Sequence, residues 1–142
     1  MNTETINNLI HYYENLTPAE VENMGTYYSD LSYFRDPFNE VHTLAAIQAI
    51  FRKMYQQVDQ PTFHIQDKYM SEQALILTWD FSFNLKIPSR PNKHIHGLSL
   101  LRFDESGKIN YHRDYWDAAQ ELYEQLPGIG GIFSLMRKII AH

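Results

Sequence analysis

The 142-residue sequence lacks cysteine, a basic cluster and any long apolar run, and each absence excludes a class of protein. Without cysteine there is no disulfide bond and no thiolate chemistry. No stretch approaches the roughly 20 apolar residues of a membrane-spanning helix, and the polar residues 1–8 contain no apolar signal core. The formal net charge of −5 disfavours nucleic acid and anionic membranes as partners. We therefore expect a cytoplasmic protein with no nucleic-acid or membrane partner.

Aromatic residues are abundant instead, with ten tyrosines, eight phenylalanines and two tryptophans. In a small protein this content is typical either of an internal pocket or of a bulky core. The length fits one domain that can bury a sizeable core, which we place at residues 1–142, with a helical C-terminal extension at 118–142. The composition therefore allows a small-molecule site without requiring one.

Apolar residues recur at helical spacing in the first sixty residues and predict three helices. The second has the clearest start, because Thr17 can cap it, Pro18 suits its first turn and Glu20 completes a capping box. The third begins at a Thr43 cap. The predicted spans are 3–16, 17 to about 30, and 43 to about 58.

After Pro61 the spacing changes to an alternation of apolar and polar residues, which predicts antiparallel strands. The longest strand carries an apolar ladder on one face, which we expect to pack in the core or against a second subunit. Helical spacing returns after Asp117. Helices followed by a run of strands predict an α+β fold. The predicted strands are 62–70, 75–87, 94–103 and 109–116, with a loop at 88–92.

Asp36 follows a short extended run, Ser32 to Phe34, and precedes Pro37. Proline is excluded from central strands and pushes the residue before it towards an extended backbone. Asp36 is therefore predicted to end a β segment, where a carboxylate is a candidate for chemistry. The alternative is that Asp36 only caps a turn, a role that aspartate favours.

The segment from Tyr111 to Asp117 is the second candidate for chemistry. Alternation along a strand puts His112, Asp114 and Trp116 on one face. A histidine and an aspartate on a partly desolvated wall suit general acid–base work. The alternative is that both side chains make satisfied cross-strand hydrogen bonds, or that Asp114 pairs with an arginine.

His94 and His96 have the spacing of metal ligands on a strand, and His112 or Asp114 would have to complete a site across the sheet. No carboxylate follows the two histidines at the spacing of a metal-binding cupin, and Lys93 adjoins them. We therefore expect solvated histidines, no metal and no other cofactor.

Five short motifs occur in order along these segments, namely Tyr28-Ser29-Asp30, Phe34-Arg35-Asp36-Pro37, Ala45-Ala46-Ile47, Leu101-Arg102-Phe103 and Gly107-Lys108-Ile109. Their order and spacing resemble the nuclear transport factor two superfamily, and in particular its ketosteroid isomerase and SnoaL-like polyketide cyclase branch. The resemblance implies a cone-shaped fold, in which a curved antiparallel sheet is packed by three N-terminal helices. We expect a homodimer.

The resemblance also implies roles for single residues. In the isomerases the aspartate at the position of Asp36 moves a proton next to a carbonyl. A helix tyrosine polarises that carbonyl, and counting back from Asp36 gives Tyr12, with Tyr13 next to it. Ser99 stands where the isomerases have a neutral carboxylic acid, so it is a second candidate donor. The same resemblance turns His112 and Asp114 inward as further catalytic candidates. The expected ligand contacts are Tyr13, Trp79, Leu101, Phe103 and Trp116.

Together these expectations describe a SnoaL-like protein that binds a small apolar or carbonyl-containing molecule and acts as an isomerase, cyclase or hydrolase. A carboxylate pair with a water between could hydrolyse a strained ether, as in limonene epoxide hydrolase of the same superfamily. The alternative is a non-catalytic ligand-binding or assembly module, because fold does not fix function. An enzyme predicts Asp36 and Asp114 or His112 at one cavity. A binding module predicts Asp36 paired with Arg35 or Arg113 beside a closed interior.

Overall fold

A curved sheet of six strands is the frame of the molecule. The computed structural model describes residues 2–86, 92–121 and 130–141. The strands are β1 (Tyr28–Arg35), β2 (Glu40–Val41), β3 (Val58–Met70), β4 (Leu75–Leu85), β5 (Lys93–Phe103) and β6 (Ile109–Trp116). Their order across the sheet is β2-β1-β6-β5-β4-β3. Neighbours are antiparallel except β1 and β6, which are parallel because the chain returns to β6 after the whole meander.

The helices are α1 (Thr3–Glu14), α2 (Pro18–Glu22), α3 (Leu44–Gln57), α4 (Ala118–Glu121) and α5 (Gly130–Ile140). The residue before each of the first three helices accepts a hydrogen bond from the backbone amide three residues later. These capping residues are Asn2, Thr17 and Thr43. The α+β class, the three N-terminal helices and the starts at Thr17 and Thr43 are confirmed. In the described ranges, no helix has the length and apolar character needed to cross a bilayer.

The second helix is shorter than the sequence predicts. It ends at Glu22, a 3₁₀ turn covers Met24–Thr26, and β1 already begins at Tyr28 rather than near Ser32. The helical spacing continues to Tyr28, but that residue pairs with Ile109 of β6, so the sheet ladder takes up the backbone that a helix would have used. The difference matters because it places the Tyr28 side chain, which is fully buried, on the sheet.

The helices cover one face of the sheet, and the apolar side chains between them form two clusters. The larger lies under α1, α2 and α3 and includes Leu75, Leu77 and Leu101 of the sheet. The smaller lies further along the strands, around Trp79, Phe83 and Ile95. The apolar ladder of β4 thus contributes to both clusters, as core packing predicts.

Gly97 of β5 lies against the ring of Trp79 on the inner face of the sheet. It pairs with Trp79 on one side and Trp116 on the other. A Cβ atom at Gly97 would lie 2.6 Å from the Trp79 ring and 2.8 Å from the Tyr115 carbonyl oxygen. Only glycine lets the Trp79 indole lie across the strand at this point.

Some predicted elements fall outside the described residues, namely Ile87, most of the loop at 88–92 and the segment 122–129. Of the predicted C-terminal extension, α4 and α5 are helical. In α5 several large apolar side chains are exposed, namely Ile132, Leu135, Met136, Ile139 and Ile140.

Candidate functional site

A cavity of about 520 Å³ lies between α3 and the inner face of the sheet. This volume is in the range of small-molecule sites. Its wall is mostly aromatic and aliphatic, and the polar residues on it are Asp36, Asn39, Lys53, Gln57 and Asp114. The aromatic residues on it are Phe34, Phe38, Phe51, Phe63, Trp79, Phe81, Phe83 and Trp116.

Asp36 stands at the cavity wall, directly after the end of β1, and caps a tight turn. Its Oδ1 accepts hydrogen bonds from the backbone amides of Phe38 at 2.8 Å and Asn39 at 2.7 Å. The Asn39 side-chain amide lies 3.1 Å from each carboxylate oxygen. Asp36 therefore lines the cavity and also holds the turn, and its catalytic role stays a prediction.

Asp114 brings a second carboxylate to the same wall, from β6. Its Oδ1 accepts a hydrogen bond of 2.5 Å from the Ser99 hydroxyl of the neighbouring strand. The Ser99 hydroxyl in turn accepts one of 2.9 Å from the Trp79 indole nitrogen. Because an indole nitrogen can only donate and a carboxylate only accept, the Ser99 hydrogen must point to Asp114.

His112 reaches Asp114 from the other side. Its Nε2 lies 2.6 Å from Asp114 Oδ1, its Nδ1 lies 2.7 Å from the Tyr28 hydroxyl, and that hydroxyl lies 2.5 Å from the hydroxyl of Tyr13. We call Tyr13, Tyr28, His112, Asp114, Ser99 and Trp79 the Asp114 network. His112 is only 3% exposed.

Counting donors and acceptors gives the direction of the hydrogen bonds that run from Tyr13 through Tyr28 and His112 to Asp114. If His112 is neutral with its hydrogen on Nε2, it donates to Asp114, accepts at Nδ1 from Tyr28, and leaves Tyr28 to accept from Tyr13. Every hydrogen then has an acceptor. A doubly protonated His112 would reverse both tyrosines and leave the Tyr13 hydrogen without an acceptor in the described residues. The neutral form is the one that the contacts satisfy.

Burial keeps the two phenols of the network protonated. It raises the pKa of the Tyr28 phenol well above its ordinary value, with a smaller contribution from the neighbouring Tyr13. Burial likewise raises the pKa of Tyr13, and the hydrogen bond that Tyr13 shares with Tyr28 opposes this rise. Both phenols are therefore hydrogen donors at neutral pH. All hydrogens of the network run towards one acceptor, the Asp114 carboxylate at the cavity.

A small recess of about 20 Å³ adjoins the network at the inner end of the cavity. Polar groups of Tyr13, Ser99, His112 and Asp114 border it, together with apolar groups from α3 and the sheet. This space is large enough for one water molecule or one small substituent of a ligand. The recess gives Tyr13 its place at the site.

Tyr12 is the one catalytic candidate that the structure turns away from the cavity. Its hydroxyl donates to the Glu20 carbonyl at 2.6 Å, and its ring packs on Tyr27 at 4.4 Å. Adjacent residues of a helix point about 100° apart, so only one of Tyr12 and Tyr13 can face the sheet at this level. The Tyr12 hydroxyl is thus directed away from the cavity and Tyr13 borders the recess, while the role of Tyr12 as a donor to the ligand stays a prediction.

The five expected ligand contacts separate into two groups. Trp79 and Trp116 line the cavity, and Tyr13 borders the recess. Leu101 and Phe103 lie elsewhere, because Leu101 is fully buried in the larger apolar cluster and Phe103 packs against that cluster. Neither residue lines the cavity or its recess, and a ligand contact from them stays a prediction.

His94 and His96 lie on the outer face of the sheet, where both adjoin Asp80. His112 and Asp114 lie on the inner face, so the conceivable three-ligand site across the sheet does not form. No group of three potential metal ligands occurs in the ranges that the structure describes. The alternation along β6 is confirmed, since His112, Asp114 and Trp116 all line the cavity or its recess.

Sequence reasoning missed Tyr28 as a member of the site, because the helical spacing placed it in a helix. It also gave no cavity role to the residues of α3, although Phe51 and Met54 line the wall. No local signal places Tyr28 on the sheet, because its pairing partner Ile109 lies far away in the sequence.

A family model described as a SnoaL-like domain matches residues 9–112, which is most of the chain. The chain belongs to this SnoaL-like family. The matched region runs from within α1 to within β6, and the predicted resemblance is confirmed. A comparison with curated proteins gives no match.

Solved structures of SnoaL-like and related proteins share the fold. One from Catenulispora acidiphila, with a ketosteroid isomerase-like fold and in complex with trimethylamine, has a TM-score of 0.71 at 13% identity over 86% of this chain and 92% of that chain. A protein from Shewanella denitrificans assigned as a SnoaL-like polyketide cyclase has 0.71 at 17% identity, over 87% and 97%. An LEH-like epoxide hydrolase of Mycobacterium tuberculosis has 0.65 at 12% identity, over 98% and 95%. At these identities the likeness shows the fold, and the cone is confirmed.

Proposed function

We propose that this SnoaL-like protein binds a small, mostly apolar organic molecule in the cavity and transfers a proton on it with its own side chains. Asp114 is the base, which takes a proton from one atom of the substrate and returns it to another. The product is then an isomer, and ring closure coupled to the same transfer would make the protein a cyclase. The names of the structural neighbours, a polyketide cyclase and an epoxide hydrolase, support this class of reaction.

The observation that carries the proposal is the convergence of the Asp114 network on one carboxylate oxygen. Ser99 and His112 both bond to Asp114 Oδ1, so Oδ2 has no hydrogen bond from the described residues. Asp114 is thus fixed in orientation, and one oxygen is available for a substrate. Preorganised groups of this kind contribute most when they need no rearrangement during the reaction.

Asp36, which the family resemblance makes the base, is less suited to that role in this chain. Its Oδ1 accepts three hydrogen bonds and its Oδ2 a fourth, and all four come from its own turn. A proton accepted by this carboxylate would disturb the turn. We assign Asp36 to binding and Asp114 to proton transfer, with His112 as the positioning residue.

The alternative, a non-catalytic binding module, is favoured by one observation, namely that Asp36 is engaged in its turn. The pairing of Asp36 with an arginine that this alternative predicted is not found, since Arg35 lies 3.8 Å from Glu40 and Arg113 stacks on Tyr115. The cavity is also open rather than closed. Homodimer formation, the cytoplasmic location and the domain boundaries stay predictions.

The test is a proton-exchange assay that needs no knowledge of the product. Metabolites that raise the melting temperature are incubated with the protein in deuterium oxide, and proton NMR follows the loss of substrate hydrogens. We expect exchange with the wild type and a rate lower by about 10²–10⁴-fold in Asp114→Asn, which is the usual contribution of a general base. Ligand binding in this variant should weaken far less than the exchange rate falls.

The matched control is Asp67→Asn, which makes the same change on an exposed carboxylate of β3. It should leave the exchange rate unchanged. Equal exchange in wild type and Asp114→Asn would overturn the assignment of the base. Ligands that stabilise the wild type and never exchange would favour the binding module.

A further inference from the structure

The polar wall of the cavity accepts hydrogen bonds but has few left to donate. The Ser99 hydroxyl and the His112 Nε2–H are directed at Asp114, and the Trp79 indole N–H at Ser99. The Asn39 amide is directed at Asp36. Because these donors are engaged, the wall offers a ligand mainly the two carboxylates as hydrogen-bond acceptors.

The remaining donors of the described wall lie at its outer rim. Lys53 and Gln57 are exposed on α3, on the solvent side of the cavity. Tyr13 borders only the recess, and its hydrogen is engaged with Tyr28. A ligand oxyanion deep in the cavity would therefore meet carboxylates and ring edges rather than hydrogen donors. A neutral carbonyl would gain little there.

The two carboxylates of this wall also have no lysine or arginine at contact distance in the described part of the chain. In the residues that the structure describes, neither Asp36 nor Asp114 lies within 4.0 Å of a lysine or arginine nitrogen. Arg35 and Arg113 come near both carboxylates from an adjoining surface cleft, but they extend along the outer side of β1 and β6. One of them pairs with Glu40 and the other stacks on Tyr115. A cation supplied by the ligand would complete the site.

The aromatic wall points to the same ligand. Eight aromatic side chains line the cavity, including Trp116 beside Asp114 and Phe38 at the Asp36 turn, whose rings meet edge to face at 5.6 Å. The face of an aromatic ring attracts a positive charge, and tryptophan does so most strongly. Carboxylates next to such rings recognise an ammonium group and leave the rest of the cavity for an apolar body.

We propose that the ligand of this cavity is an organic cation, namely an ammonium group on an apolar body, with the charged nitrogen at the wall that Asp36 and Asp114 share. This inference shares one premise with the proposed function, namely that the cavity binds a small organic ligand. It narrows the substrate class from small apolar molecules to amines that are protonated or quaternary at neutral pH.

The test compares three ligands of nearly equal shape and different charge, namely benzylamine, benzyl alcohol and benzoate, by isothermal titration calorimetry at neutral pH. We expect benzylamine to bind on the order of ten-fold more tightly than benzyl alcohol, and benzoate to bind most weakly. Benzyltrimethylammonium extends the series to a cation without N–H donors. If benzyltrimethylammonium binds as tightly as benzylamine, the cation is recognised by its charge and by the aromatic rings. If it binds more weakly, hydrogen bonds from the ammonium group to the carboxylates contribute to recognition.

Variants of the two carboxylates test which side chains recognise the positive charge of the ligand. Asp36→Asn and Asp114→Asn should each reduce the preference for benzylamine over benzyl alcohol, and leave the affinity for benzyl alcohol nearly unchanged. Asp67→Asn is the matched control and should keep the wild-type preference. Thermal unfolding of each variant checks its fold, and the ligand series on the unchanged protein decides the matter if a variant does not fold.

Equal affinity for the three ligands, tighter binding of benzoate, or no binding of benzylamine would each overturn the inference. The two proposals fail separately. If the protein shows no preference for the cation but proton exchange still depends on Asp114, the proposed ligand class is wrong and the proposed reaction stands. If the preference for the cation is present but exchange does not depend on Asp114, the proposed reaction is wrong and the ligand class stands.

Discussion

The two faces of the sheet each carry a histidine–aspartate contact, and the contacts differ in almost everything except composition. On the inner face His112 Nε2 lies 2.6 Å from Asp114, and the histidine is 3% exposed. On the outer face His96 Nδ1 lies 3.1 Å from Asp80, and the histidine is 63% exposed. His94 lies 3.7 Å from the same Asp80. In the residues that the structure describes, the inner pair belongs to a continuous set of hydrogen bonds, whereas the buried Oδ1 of Asp80 makes none.

The difference shows that burial and the number of partners, rather than the residue pair, decide what such a contact does. An exposed pair gains little from its attraction, because water and salt screen it. A buried pair has lost its water, so each group depends on the others for its hydrogen bonds. The inner pair is therefore costly to break and fixed in geometry, which are the properties a catalytic carboxylate needs.

The strongest test of this comparison removes the histidine from each face. His112→Leu leaves the Asp114 carboxylate and the Tyr28 hydroxyl without their shared partner in a buried place. We expect the free energy of unfolding to fall by about 3 kcal/mol. His96→Leu, the matched change on the outer face, should lower it by less than about 1 kcal/mol. Urea unfolding measures both.

Equal losses in the two histidine variants would mean that burial does not separate the faces. A small loss in His112→Leu alone would mean that the Asp114 network adds little to stability. In that case its role would rest on the exchange assay only.

A second test disturbs the inner face by adding one carbon. In Gly97→Ala the new Cβ would lie 2.6 Å from the Trp79 ring, so the indole that bonds to Ser99 has to move. We expect a loss of about 2 kcal/mol, as for an overpacked core, together with weaker ligand binding and a changed tryptophan fluorescence spectrum.

Gly107→Ala is the matched glycine variant. Gly107 has a positive φ of 85° in an exposed turn, and a Cβ there meets no atom within 4 Å. It should cost about 1 kcal/mol through backbone strain and leave ligand binding unchanged. Unchanged fluorescence and binding in Gly97→Ala would contradict the proposed contact between Trp79 and the cavity.

Much of this site could be predicted from the sequence, because strand alternation is a local rule. It placed His112, Asp114 and Trp116 on one face, and that face is the inner one. The proline after Asp36 likewise predicted the end of a β segment, and Asp36 follows β1 directly. In both cases the relevant geometry depends on neighbours in the chain.

The errors arise where geometry depends on distant contacts. Tyr12 and Tyr13 differ by one position on a helix, and only packing against the sheet decides which one meets Tyr28. The start of β1 at Tyr28 depends on pairing with Ile109, which is 81 positions later in the chain. The excess of acceptors on the cavity wall could not be predicted from the sequence either. It arises because the donors of the Asp114 network are engaged with one another, and those contacts depend on the fold.

A third test uses alkaline pH to probe the inner tyrosines. Burial raises the pKa of Tyr13 and Tyr28 above the value of 10.0 that an unfolded chain has. Above about pH 10 the unfolded chain loses these protons and the folded chain keeps them. Stability from these groups is thus complete below pH 10 and falls above it, by about 1.4 kcal/mol per pH unit for each buried tyrosine.

Tyr28→Phe should make this alkaline decline less steep by the contribution of one tyrosine. Tyr69→Phe, on a side chain that is 58% exposed, should leave the slope unchanged. Urea unfolding at several pH values between about 9 and 11.5 gives both slopes. An identical slope in the wild type and Tyr28→Phe would show that Tyr28 ionises as readily in the folded protein as in the unfolded chain.

The smallest expected effect is that of Asp80→Asn on the outer face. Asp80 approaches two histidines that are each more than half exposed, and its Oδ1 is buried without a hydrogen bond in the described residues. Asparagine removes the attraction to the histidines, but it also removes the cost of burying a charged oxygen, and the two changes oppose each other. We expect the free energy of unfolding to change by less than about 0.5 kcal/mol at neutral pH, and by still less at high salt. Urea unfolding at low and high salt measures the change. A loss of unfolding free energy above about 1 kcal/mol that salt does not reduce would mean that the outer contact stabilises the fold as strongly as a buried one. The two faces would then differ in ligand binding rather than in their contribution to stability.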